Sequence, residues 1–195
     1  MTKVTFRIMF LLLFVVSAST LDSCKAKKVI AQPVYPGMKE VITPCSDAEF
    51  RSDATFFRAT GTASSQDQST CKRKALLDAN TNLATSINNT IKAVTERYTN
   101  ERQIAKASEF EEKFEQMVRD VVNQQLSGVA TACSKMFTKD DGLYYSYIAV
   151  EMAKDDLMNN ISSGVSKNQQ LQLDYDRMKF EKVFNEEMDK LSKEQ

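Results

Sequence analysis

The chain of 195 residues contains no histidine. Imidazole is the side chain whose ordinary proton affinity lies near neutral pH, and it is the commonest metal ligand. Its absence excludes His-based catalytic triads, histidine general acids and bases, and His-ligated zinc, copper or haem. Carboxylate pairs and serine–lysine dyads stay open, but no spacing singles one out. Glycine and proline are scarce, at five and three residues, so the chain is neither repetitive nor disordered by composition. Net charge is lacking as well: 26 basic residues balance 26 acidic ones. Without a basic excess there is no long-range attraction to nucleic acid, which is not an expected partner. What is present is a composition that is 42% hydrophobic and 27% charged, suited to one globular domain.

The amino terminus reads as an address. Lys3 and Arg7 precede the apolar run Ile8 to Val16, and Ser17, Ala18, Ser19 and Thr20 follow. Nine apolar residues suit a signal-peptide core, whereas a bilayer-spanning helix needs about 20. Leu21, Asp22, Ser23 and Cys24 then resemble a bacterial lipobox of the relaxed, Bacteroidetes-like kind, with Asp22 as the departure from the strict form. This implies cleavage after residue 23 and acylation, palmitate included, at Cys24. The competing reading is ordinary cleavage after the Ser/Ala stretch, leaving a soluble periplasmic protein. Removing residues 1–23 leaves 24 basic and 25 acidic residues.

Residues 24–44 are expected to be the lipid anchor and tether, because Pro33, Pro36 and Pro44 all fall there with Gly37 beside them. Lys25, Lys27 and Lys28 are either solvated linker charges or a weak attraction to anionic headgroups. By resemblance to lipoprotein sorting rules, Lys25 does not look like an inner-membrane retention signal. The expected location is an outer-membrane lipid anchor facing the periplasm.

Residues 45–195 are expected to form a single α+β domain. Residues 55–64 alternate small apolar and polar side chains and read as a strand, with Phe57, Ala59, Gly61 and Ala63 on one face. The small side chains there let a helix approach closely. That helix is expected from Gln68 to Tyr98 behind an Asp67 N-cap, with Leu76, Ala79, Leu83, Ile87, Ile91, Val94 and Tyr98 as its buried stripe. A break is expected around Thr99-Asn100-Glu101. Ser108 and Glu111 have capping-box spacing ahead of a second helix carrying Phe110, Phe114, Met117, Val118, Val121 and Val122, ended by Gly128. Residues 129–138 and 143–152 read as a hairpin joined by Lys139-Asp140-Asp141-Gly142. A helix over 155–165 and a long amphipathic helix over 168–193 complete the order β-α-α-β-β-α-α: a small antiparallel three-stranded sheet packed against long helices. The last helix is expected to bury Leu171, Tyr175, Met178, Val183, Phe184, Met188 and Leu191.

Arg58-Ala59-Thr60-Gly61, Lys74-Ala75-Leu76-Leu77-Asp78-Ala79, Leu83-Ala84 and the strand Tyr145-x-Tyr147-Ile148-Ala149-Val150-Glu151 together resemble the small-lipoprotein family typified by the Lpp-twenty outer-membrane antigen. The resemblance spans roughly residues 50–160. It implies an envelope location and a dodecin-like β-α-β-β core, and it carries over no catalytic residue. The Pro44-Cys45 approach to the domain, the second helix and the long C-terminal helix look like features of a Bacteroidetes-type branch.

With Cys24 acylated, Cys45, Cys71 and Cys133 remain. Cys71 lies about 140° around its helix from the centre of the expected stripe, beside Lys72-Arg73-Lys74, and reads as a bystander. The expected disulfide is therefore Cys45–Cys133, the other outcome being three free thiols. No cysteine pair has metal-ligand spacing, so no metal and no cofactor is expected. Alternation puts Tyr145 and Tyr147 on one strand face, opposite Tyr144, Ile148, Val150 and Met152. With helices on that second face, Tyr145, Tyr147 and Phe137 need another cover. Either a second copy or an envelope protein supplies it, or the tether or C-terminal helix does. Asp140-Asp141-Gly142 and Asp155-Asp156 lack the spaced oxygens that calcium requires and read as a turn and a helix start. The expectation is a non-enzymatic structural or protein-interaction subunit of the cell envelope. The contrasting class is a periplasmic small-ligand-binding protein or hydrolytic enzyme.

Overall fold

Three strands build the sheet: β1 (Phe56–Ser65), β2 (Ala130–Thr138) and β3 (Tyr144–Ala153), antiparallel in the order β1-β3-β2. The computed structural model describes residues 41–194; the signal-like segment and Cys24 lie outside the described residues. Register Phe57↔Met152, Ala59↔Val150, Gly61↔Ile148 and Ala63↔Ser146 puts the apolar alternates of β1 and β3 on one face. Helices α1 (Gln68–Arg102) and α2 (Ala107–Gln125) follow β1, and α3 (Lys154–Ser166), α4 (Gln169–Asp174) and α5 (Arg177–Glu194) follow β3. The domain is thus the expected α+β arrangement.

Asp67 caps α1 by accepting the Thr70 amide at 2.7 Å. The helix then lies directly on the small-residue face of the sheet. A Cβ at Gly61 would stand 2.8 Å from Ala79 Cα and closer still to the Ala79 nitrogen and the Ala75 carbonyl. Glycine is required there so that two backbones can meet. Further along, α1 leaves the sheet and packs against α2 and α5.

The expected stripe is buried from Ala79 through Leu83, Ile87, Ile91 and Val94 to Tyr98, and the structure corrects it at its start. Cys71, Ala75, Ala79, Leu83, Ile87 and Ile91 are all buried, a line of i, i+4 steps that winds about 40° around the helix at each step. A single fixed stripe cannot describe a helix covered first by a sheet and then by helices. Cys71 is therefore core rather than bystander, its thiol 3.3 Å from the Ala63 carbonyl and 3.2 Å from that of Tyr144. Leu76 is only partly buried.

The break expected at residues 99–101 is absent, and α1 runs on to Arg102 before Gln103 turns left-handed at φ 53°. The Ser108–Glu111 capping box does not form, since Ala107 is already helical and Lys106 caps without a side-chain bond. Glu111 instead meets the buried Thr99 hydroxyl of α1. The helix expected over 168–193 is two helices separated at Tyr175-Asp176. Asp176 restarts the chain, accepting the Lys179 amide at its carboxylate and the Phe180 amide at its carbonyl. The restart changes the helical phase, so Met178 is 81% exposed and Phe180 is fully buried. Phe180 packs against Tyr98, Phe114 and Tyr175 with ring centroids 4.9–5.6 Å apart, and burying such a side chain stabilises the fold by about 2–3 kcal/mol.

Candidate interaction face of the sheet

Among the described residues, no helix lies on the second face of the sheet. Along β3 it presents Tyr145, Tyr147, Ala149 and Glu151, flanked in register by Ser64, Thr62, Thr60 and Arg58 of β1. On the other side stand Phe137, Lys135 and Cys133 of β2. Tyr145 and Tyr147 thus lie opposite Ile148, Val150 and Met152, as the alternation requires.

The residues from Cys45 to Asp53 cover one end of this face. Cys45 is bonded to Cys133 across 88 positions, with Cα atoms 5.7 Å apart. Ala149, between Thr60 and Cys133 in register, is completely buried. The backbone at Cys45 is left-handed, at φ 51°, a conformation that costs a side-chain-bearing residue about 1 kcal/mol and is held here by the cross-link. The Thr60 hydroxyl donates to Asp47 at 2.6 Å. Sequence reasoning did not find the ionic hub beside it. The Arg58 guanidinium donates to Glu151 at 2.9 Å and to Asp53 at 2.5 Å and lies 5.0 Å from the centre of the Phe56 ring. Burial acts to raise the Asp53 carboxyl, but the Thr55 hydroxyl and amide, the Arg58 guanidinium and the Phe56 amide outweigh it and hold the group well below the usual carboxylate range.

Among the described residues, nothing covers the other end of the face. Phe137 and Tyr147 meet edge-on with centroids 5.9 Å apart. Lys139 Nζ stands 4.5 Å from the centre of the Tyr145 ring, and the Tyr145 hydroxyl donates to Asp141 at 3.3 Å. Gly142, at φ 75°, closes the turn that brings Lys139 and Asp141 to this place. Phe137 is 49% exposed and both tyrosines are half-buried. The structure therefore gathers Phe137, Tyr145 and Tyr147 into one aromatic patch, bordered by Lys135 and Lys139 and adjoining the disulfide.

A separate concavity lies between α2 and α3. It measures about 720 Å³ and mixes charges of both signs, Arg119 and Lys113 with Glu112 and Asp120, among amide side chains. Among the described residues no group of three or more His, Cys, Asp or Glu side chains is arranged to hold a metal ion, and no helix is long and apolar enough to cross a membrane. The chain matches no protein-family model, and no curated protein and no solved structure is significantly similar to it.

Proposed function

We propose that the protein is an exported cell-envelope lipoprotein, anchored at Cys24, that serves as a non-enzymatic structural or protein-interaction subunit. The observation that carries the reading is the Cys45–Cys133 bond. Disulfides persist in oxidising compartments, which agrees with the signal-like residues 1–23 and the lipobox-like Leu21 to Cys24. The bond also fastens the chain to the sheet some twenty residues after Cys24, beside the open patch of Phe137, Tyr145 and Tyr147. Aromatic side chains with a polar tip, bordered by lysines, are suited to a protein interface. The likeness to the small outer-membrane lipoproteins belongs to the same proposal and adds a periplasm-facing outer-membrane location.

Two experiments test it. Cys24→Ser is expected to move the protein from the detergent phase to the aqueous phase and to remove the acyl mass from the mature amino terminus; unchanged partitioning and mass would end the anchor proposal. Cross-linking in intact cells is expected to capture a self-complex or a recurring envelope protein. Replacing Tyr145 and Tyr147 together by Ser is expected to weaken that product, and an undiminished product would remove the patch from the interface.

A further inference from the structure

The two edges of the sheet are built differently. The free edge of β1 is closed by side chains and loop. Asp53 accepts the Phe56 amide at 2.9 Å and its own amide donates to the Phe56 carbonyl. The Ser52 hydroxyl accepts the Arg58 amide and donates to the Arg58 carbonyl. Asn82 of α1 donates to the Thr60 carbonyl and Asp78 accepts the Thr62 amide, each at 2.9 Å. Four successive outward positions, Phe56, Arg58, Thr60 and Thr62, are thereby occupied, and strand addition at this edge is blocked.

Among the described residues, the free edge of β2 has no such cover. The hairpin closes with the Lys139 amide on the Leu143 carbonyl, so in the alternating ladder Phe137↔Tyr145 and Lys135↔Tyr147 are the directly bonded pairs. Ser134, Met136 and Thr138 consequently turn their amides and carbonyls away from β3. Among the described residues nothing hydrogen-bonds to those groups, and Ser134 and Thr138 are exposed with Met136 half-buried. Among the described helices and strands, only β3 packs against β2 to any extent.

We propose that β2 pairs antiparallel with β2 of a second copy about a two-fold axis at Met136, joining two sheets into one of six strands. The proposal rests on the interaction reading above and is independent of the acyl anchor. The sequence of the edge selects this occupant and this register. With the axis at Met136, each outward position meets an outward position: Met136 meets its own counterpart, and Ser134 meets Thr138 of the second copy, a hydroxyl pair of the kind that stabilises neighbouring strands. On the aromatic face Phe137 stands opposite Lys135 of the second copy, so no like charges oppose each other and the lysine covers the half-exposed ring. The two Phe137 rings lie diagonal to one another, and the two patches become continuous. The bulge between Thr131 and Cys133 interrupts a register centred on Ser134, which leaves Met136 as the favoured centre.

Site-directed cross-linking of the full-length protein in its membrane tests the arrangement. In the proposed pair the Met136 Cα atoms are about 5.5 Å apart, within disulfide range, whereas the Ser134 Cα atoms are about 14 Å apart. Met136→Cys is expected to form a covalent dimer on non-reducing gels in at least ~10-fold higher yield than Ser134→Cys. The double variant Ser134→Cys/Thr138→Cys is expected to dimerise as well. Absence of the Met136→Cys dimer, or equal yields from the Met136 and Ser134 variants, would overturn the proposal. Met136→Pro supplies a second arm: its missing amide points away from β3, so the hairpin ladder and the Cys45–Cys133 bond are expected to survive while native self-association is lost. Persistence of the self-complex in that variant would also refute strand pairing. A cross-link solely to a different envelope protein would overturn self-pairing and leave the interaction reading standing; no cross-linked product at all would remove both.

Discussion

The space where a side chain would stand on Gly61 is filled by the backbone of Ala79. The nitrogen and Cα of Ala79 and the carbonyl of Ala75 all lie closer than a Cβ could tolerate. Helix α1 and strand β1 meet backbone to backbone, and the rest of the domain is assembled around that contact.

Gly61→Ala therefore has no local remedy, because the atoms it meets are main chain rather than the end of a flexible side chain. The helix must lift from the sheet, and overpacking of this kind costs about 3 kcal/mol. Urea unfolding monitored by circular dichroism is expected to show the unfolding free energy fall by that amount, with Ala63→Ser, on the same strand face but only partly buried, as the milder control. Equal stability of Gly61→Ala and the parent would refute the close approach.

The Tyr98 hydroxyl joins the two ends of the helix break, donating to the Asp174 carbonyl and accepting the Asp176 amide, each at 2.7 Å. Burial pushes this phenol above its ordinary value, with the Asp176 amide acting against the rise. Tyr98→Phe keeps the ring packing and leaves both backbone groups unpaired, so a loss of about 1–3 kcal/mol is expected. Faster amide exchange confined to Asp176 and the start of α5 would locate the loss.

Two thiol states are expected in the purified mature protein. With Cys24 in thioether linkage and Cys45 bonded to Cys133, denaturation without reductant exposes one thiol, Cys71, and native protein exposes none because Cys71 is fully buried. Reduction, or Cys133→Ser, is expected to destabilise the fold by about 2–5 kcal/mol. A count of three thiols before reduction would dismiss the cross-link.

Acid is expected to loosen the segment around Asp53 before the helical core. Its carboxyl is held below the unfolded value of about 3.9, so its contribution is fully present above that pH and is lost as pH falls below it toward the folded value. Amide exchange at Thr55 and Phe56, both of which donate to this carboxylate, is expected to quicken through that window beyond the intrinsic trend. Asp53→Asn should flatten the dependence. A variant that keeps the same acid profile would assign the effect to another group.

Much of the sheet is readable from residues alone. Period-two alternation locates β1 and the hairpin, and Asp140-Asp141-Gly142 names the turn. Small residues at Ala59, Gly61 and Ala63 announce a close helix, and Asp67 announces its start. The helices are less legible. Local periodicity assumes one covering surface, whereas α1 has two, and so Cys71 reads as exposed when it is core. Residues 168–193 read as one helix because the break is made by a hydroxyl from Tyr98, more than 70 positions away. Phe180 goes unrecognised and Met178 is misplaced for the same reason, since a restart at Asp176 rotates every later side chain. The aromatic patch was half visible: alternation pairs Tyr145 with Tyr147, but Lys139 over the Tyr145 ring and the hub around Arg58 depend on which loops meet the sheet.

The sequence by itself determined the order of elements as far as α3, the inward faces of β1 and β3 and the composition of the turns. All of these follow from interactions within a few residues. Tertiary structure alone decided where the buried line on α1 begins, at Cys71 and Ala75, the break before α5, and the difference between a closed β1 edge and an open β2 edge. Each of these is a contact between segments far apart in the chain, and hydrogen bonds and packing across such distances leave no period in the sequence to read.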